Sequence, residues 1–136
     1  MEISFDDSHR FWAEHQEEMR NAAPVWMRHL ALARPDFASY LWYMMVRLQA
    51  CRHVLKPTGS IYLHCDWRAS HYLRMVMDEV FGHNRFLSEI IWAFGAGARA
   101  NSYFANKHNT IFLYQKGDTH TFNVDSTTMH KPYSSS

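Results

Sequence analysis

Between Pro35 and Gly82 the chain sets two long apolar-faced segments around one short run of β-formers, and this alternation limits the fold more than any other feature. Leu41, Met44, Met45, Leu48, Cys51 and Leu55 recur at helical spacing and give a single apolar face. Asp36 or Ser39 stands where this helix would be capped, and Pro57 with Gly59 stops it. The run "SIYLHCD" (60–66) then lies directly between two helices, a setting that predicts a buried parallel strand. Asp66 falls at the N-cap of the next helix. Tyr72, Leu73, Val76, Met77, Val80 and Phe81 form that helix's buried face, and Gly82 ends it. Helix–strand–helix–strand is the grammar of an α/β sheet.

The flanks extend this pattern. Residues 9–34 read as two short helices broken at Pro24, with Arg20, Arg28 and Arg34 on a solvated face. Two more strand-like runs follow at 88–94 and 109–116, separated by "GAGARANSYFANKH", which has no clear period. The end, "DSTTMHKPYSSS", is polar. One domain fits 136 residues, divided as a helical lead-in (1–35), a helix-strand-helix-strand core (36–94), a loop and strand (95–116) and a polar tail (117–136). With 47% hydrophobic and 15% aromatic residues, the chain can bury a sizeable core. A net charge of +1 excludes a global attraction for nucleic acid, so any such contact needs a local patch. Two cysteines make no disulfide framework and suit a reduced, cytoplasmic setting. The first residues carry no secretory pattern, and no apolar run approaches the roughly 18 residues that a membrane span needs.

Phe94-Gly95-Ala96-Gly97 resembles the glycine loop that opens many S-adenosylmethionine (SAM) sites. Such a loop needs a strand before it, a helix directly after it, and a carboxylate about 20 residues on to hold the ribose. A strand does lead in. A second strand follows instead of a helix, and the first carboxylate downstream of the loop is Asp118. The stretch therefore reads as a flexible strand-to-strand loop. No acidic residue occurs between Glu89 and Asp118, whereas Arg99, Lys107 and Lys116 alternate with Trp92, Phe94, Tyr103 and Phe104. Cations beside rings suit a phosphate backbone and an unstacked base; a solvated hairpin loop has the same composition.

From residue 54 the order of short words becomes specific. "LKPTGS", "LHCD", "ASHYL", "FG" and "EIIW" are followed by Phe104, His108, Ile111, Tyr114 and Lys116, then by Phe122-Asn123 and Pro132-Tyr133. In this series the chain resembles the β-class amino-group DNA methyltransferases, above all the adenine-N6 enzymes akin to type III modification (Mod) subunits. The resemblance covers residues 37–133 and implies part of a Rossmann-like, SAM-dependent α/β fold, with helices packed on a mixed sheet and a strand pair at its end. Trp67-Arg68 departs from it, since Pro-Thr is frequent there. The family's catalytic D-P-P-Y tetrapeptide and its F-x-G-x-G cofactor motif do not occur, so the chain resembles the central part of such an enzyme.

The resemblance implies methyl transfer from SAM to the N6 amino group of an adenine flipped out of DNA, with cytosine-N4 as the related alternative. Lacking the tetrapeptide, the chain supplies no catalytic residue, is expected to be inactive alone, and is not expected to hold SAM tightly. Candidates for lining the target-base or cofactor pocket are His64, Asp66, Trp92, Phe104 and His108, while Arg99, Lys107 and Lys131 are candidates for DNA phosphate. Asp66 could equally be a helix cap, and Trp92 a core residue. Cys65 reads as a small buried hydrophobe. His64, Cys65 and His71 hint at zinc, but the His-Cys pair is adjacent and lacks a C-x-x-C partner, so no metal is expected. Expected partners are DNA, a restriction subunit or a second methyltransferase chain completing a split enzyme, and another copy of the chain through an unpaired edge at residues 61–65. A non-catalytic DNA-binding module is the alternative reading.

Overall fold

The computed structural model describes residues 5–95 and 101–123, with side chains from residue 14 onward. Helices α1 (Phe5–Ala22), α2 (Val25–Ala33) and α3 (Pro35–Val54) lead to strand β1 (Ser60–Cys65). Helix α4 (Ser70–Phe81), a single 3-10 turn (His83–Arg85) and strands β2 (Phe86–Ala93) and β3 (His108–Gln115) follow. Pro24 separates α1 from α2, as its missing N–H and fixed φ require. A second break falls inside α1 at His15, whose φ of −121° and ψ of 16° leave the helical region.

Leu41, Met45 and Leu48 of α3 are buried as the periodicity predicts, and so are Ala38, Ser39, Trp42 and Tyr43. The helix is covered on more than one face because α1, α2 and α4 all pack against it. Cys51, assigned to the apolar face, is exposed. Neither expected cap closes the N-terminus. Arg34 holds that position and Pro35 opens the helix, while Ser39 is buried and its hydroxyl donates to the Pro35 carbonyl at 2.8 Å. Asp36 lies in the first turn, where a carboxylate is favoured by the helix dipole. At the other end Lys116 Nζ donates to the carbonyls of Leu55 (2.5 Å) and His53 (3.2 Å), which the end of the helix leaves without backbone donors. This lysine was grouped by sequence with the loop cations. Its ammonium is turned to α3 instead.

Buried Leu73, Val76, Met77, Val80 and Phe81 confirm the inner face of α4. Gly82 ends it with φ of +97°, a conformation that costs a side chain about 1–2 kcal/mol. The N-cap is Ala69, not Asp66. Asp66 lies one turn earlier, and its carbonyl accepts from Ser70 N at 3.0 Å.

The sheet corrects one expectation. Its order is β1-β3-β2, so among the described residues β1 has an antiparallel neighbour and no parallel one. The crossover through α4 does make β1 and β2 point the same way, as the α/β grammar requires. The last strand then inserts between them, opposed to both. Register assigns the faces, because paired residues in an antiparallel ladder point to the same side. Ile61, Leu63 and Cys65 pair with Tyr114, Phe112 and Thr110 on the helix-covered side. Tyr62 and His64 pair with Leu113 and Ile111 on the opposite side, where Ile90 and Trp92 also lie. That second side carries Tyr62, Ile90 and Trp92 exposed, so β1 is half covered and not buried.

Tyr114 fastens the two layers. It is wholly buried, its ring meets Phe86 edge-on at 5.4 Å, and its hydroxyl donates to Asp78 Oδ1 at 2.5 Å. Arg74 Nε donates to the same carboxylate oxygen at 3.3 Å, and its guanidinium covers the Phe86 ring at 3.6 Å. One side-chain cluster thus joins α4, β2 and β3.

Candidate nucleic-acid interface

β1 and β2 both end at one edge of the molecule, and β3 begins there. Cys65 pairs with Thr110, Ala93 pairs with His108, and Phe94 N donates to the Lys107 carbonyl at 2.9 Å. This strand order alone brings His64, Asp66, Trp92, Lys107 and His108 to the same end of the sheet. In α/β sheets ligands bind at the C-terminal ends of strands, which here means β1 and β2.

Within that group the structure draws two residues into contact. His64 and Trp92 share the uncovered face, two strands apart, with ring centroids 5.7 Å apart and planes tilted by 39°. Trp92 is 59% exposed, so it is a surface ring and not part of the core. His108 is exposed at the start of β3, paired with Ala93, on the side of the sheet opposite His64. Phe104 stands almost entirely in solvent at 99% exposure, on the segment returning to β3. Lys107 is partly buried beside Phe94. Arg99 and Lys131 lie outside the described residues.

Asp66 is already occupied. One oxygen accepts from Arg68 N at 2.9 Å; the other accepts from Arg68 Nε at 2.9 Å and Nη2 at 2.6 Å. These bonds from Arg68 hold the carboxyl below the usual carboxylate range, against a smaller desolvation effect. Arg68 belongs to the Trp67-Arg68 departure visible in the sequence. Its consequence was not visible, because the convergence of the Arg68 backbone and guanidinium on Asp66 depends on the turn between β1 and α4.

Cys65 faces the opposite side from His64 and is buried, so the adjacent pair cannot converge on one ion from a regular strand. Burial first, then the Asp66 charge, pushes its thiol up to about 12, and its S–H donates to the Thr110 carbonyl at 3.7 Å. A thiol so held is protonated at neutral pH and is a poor nucleophile. Sequence reading missed Tyr40, which lies close enough to Cys65, Asp66 and Arg68 to feel their charges. Burial and then Cys65 raise its phenol above the ordinary tyrosine value. Tyr40 also stacks on Phe37 at 6.0 Å, and Phe37 meets Tyr72 edge-on at 5.0 Å. Nothing in a one-dimensional pattern separates these rings from ordinary core aromatics.

Among the described residues Gly95 is not set in the strand–glycine–helix order of a SAM loop. It follows β2, and among the described residues no helix starts between it and β3, so none of them offers a helix N-terminus to a ligand there. The stretch joins two antiparallel strands, as its context in the sequence indicates.

The DNA methylase family model (N6_N4_Mtase) matches residues 31–136. Among curated proteins, the chain is 32% identical to the Type II methyltransferase M.EcaI of Enterobacter cloacae over 87 residues, 63% of this chain and 19% of that protein. It is 28% identical to the Type II methyltransferase M.HpaI of Haemophilus parainfluenzae over 99 residues, 72% of this chain and 31% of that protein. It is 27% identical to the EcoP15I Mod subunit, from a Type III restriction-modification enzyme of Escherichia coli, over 79 residues, 58% of this chain and 12% of the subunit. The matched stretches thus span less than a third of each relative's length.

Proposed function

The chain belongs to the DNA methylase family, and from that premise we propose that it is one partial domain of an enzyme methylating the N6 amino group of adenine in DNA, with SAM as donor. On this reading it contributes a DNA-facing wall and no catalytic group. The observation that carries it is the gathering of His64, Trp92, Phe94, Lys107 and His108 at one end of the sheet. The exposed rings supply stacking surface for an unpaired base, and the cation supplies attraction for phosphate. Orientation of the amino group and the SAM site belong to other parts of the enzyme, and no step of transfer is assigned to residues of this chain. Its partners are DNA, a restriction subunit or a completing methyltransferase chain, and a second copy of itself.

Methylation of DNA from labelled SAM tests the reading. The purified chain is expected to transfer nothing and to give no heat on titration with SAM. Measurable transfer, or tight SAM binding, would overturn it. A non-catalytic DNA-binding module is the second reading, favoured by the exposure of Trp92, Phe94, Tyr103 and Phe104. Salt-dependent binding of single-stranded DNA that weakens with Trp92→Ala supports a DNA-facing role under both readings. Activity regained on mixing with a chain carrying D-P-P-Y and F-x-G-x-G selects the first.

A further inference from the structure

Arg68 stands in the turn between β1 and α4, at the end of the sheet that also holds Trp92 and Lys107. A long side chain on a surface ordinarily keeps most of its rotamer freedom. This one is held at three points, all of them on Asp66. The Arg68 backbone N–H donates to one carboxylate oxygen at 2.9 Å, and Nε and Nη2 donate to the other at 2.9 and 2.6 Å. An ion pair of this kind contributes little to folding, so stability is a weak reason for it. Its other consequence is directional, because it fixes the plane of the guanidinium.

A guanidinium carries five N–H donors in one plane. Asp66 takes two of them, one on Nε and one on Nη2, and leaves three. One of the three on each terminal nitrogen points from the far end of the plane, a fork that matches two oxygens of a phosphate. Asp66 is the more covered partner, at 34% side-chain exposure against 72%, so the pair turns its positive end outward. We propose that Arg68, aimed by Asp66, contacts a phosphate of DNA at this end of the sheet. The aiming contact is made wholly within the chain. The proposal rests on the DNA-facing reading given above and deepens it, adding a phosphate contact in the turn after β1 to the stacking surface on β2.

Anisotropy of a labelled single-stranded oligonucleotide, titrated with the chain across a salt series, tests the contact. Each phosphate contact on a single strand contributes about 0.7 to the slope of log affinity against log salt. Arg68→Gln is expected to lower the slope by about that amount and to weaken binding about tenfold at low salt, with the thermal midpoint unchanged. The double variant Asp66→Asn/Arg68→Gln has the net charge of the wild type and is expected to remain weaker than it, since the fork is gone. Full recovery in the double variant would mean that Arg68 only neutralises Asp66, and would overturn the proposal. Arg52→Gln removes the same charge from the exposed last turn of α3 and is expected to leave binding unchanged. Equal losses from Arg52→Gln and Arg68→Gln would reduce the effect to bulk charge and overturn the proposal too. Displacement of the oligonucleotide by SAM would assign the guanidinium to the carboxylate of that cofactor instead of to DNA. Binding that weakens with Trp92→Ala but not with Arg68→Gln removes this contact and leaves the DNA-facing reading standing, whereas no binding at all removes both.

Discussion

Replacing Tyr114 by Phe removes one oxygen from a wholly buried ring and leaves its volume nearly unchanged, so the substitution isolates a hydrogen bond. The lost donor served Asp78, which keeps Arg74 at 3.3 Å and retains about a third of its side-chain surface in solvent. Bonds to charged groups contribute about 1.5–3 kcal/mol, and the remaining arginine and the access to water put this one near the lower end, about 1.5–2 kcal/mol. With a urea slope of about 1–3 kcal/mol/M, the unfolding midpoint should fall by roughly 1 M. A second readout is pH. Burial first, then the bond to Asp78 and its charge, raise the Tyr114 phenol well above the ordinary value. The unfolded tyrosine ionises near pH 10 or so, and the folded one only above that. Tyr114 therefore contributes its full stability below about pH 10 and loses it as pH rises toward the folded value, since the unfolded state then binds fewer protons. Tyr114→Phe should make this alkaline decline shallower. It should not abolish it, because Tyr40 and Cys65 are raised as well. An unchanged urea midpoint together with an unchanged alkaline decline would refute the role given to the Tyr114–Asp78 bond in joining sheet to helix.

Gly117→Ala should destabilise by about 1–3 kcal/mol or more in urea titration, because a Cβ there runs into the Pro57 carbonyl, which is backbone and cannot turn aside. A midpoint equal to that of the wild type would show that the 57–59 and 116–121 segments separate freely. Lys116→Met should lower stability by about 1 kcal/mol through the two carbonyls it leaves at the end of α3, with affinity for DNA unchanged. Loss of affinity at unchanged stability would contradict the capping role. Arg68→Thr should raise the Asp66 carboxyl toward the ordinary carboxylate range in a carbon-detected NMR titration. Its thermal midpoint should hardly move, since the pair is solvent-exposed and such pairs contribute little. An Asp66 titration identical in the variant would refute the pairing.

Local signals were legible wherever one residue type decides the backbone. Pro24 and Gly82 mark element boundaries, Pro57 and Gly59 lie just past the end of α3, and the apolar periods of α3 and α4 name most of the core. The α/β class followed from their alternation, and the family from the order of motifs between residues 54 and 133. Strand order was not legible. Inserting β3 between β1 and β2 depends on partners about 50 residues apart, and each strand's own composition is the same under either order. Cys51 is exposed although Leu48 and Leu55 on the same period reach the core, because helical spacing gives a direction but not what packs there. Asp66 and Lys116 show a further limit. Their charges were evident, yet a turn in one case and the nearby end of α3 in the other direct those charges to partners inside the chain.

Of the three described strands, the central one is the last to be synthesised. Until His108–Gln115 leaves the ribosome, β1 and β2 lack the neighbour that they share among the described strands. Helices α3 and α4 can close locally, but the sheet must wait for contacts that are distant in sequence, which is the slow route to folding. During translation the nascent chain thus passes through an interval with two open strands and a partly finished core, the condition in which chains capture one another. A stop or cleavage before residue 108 would hold the molecule there permanently. The eight residues of β3 thus carry the ladder to both neighbours.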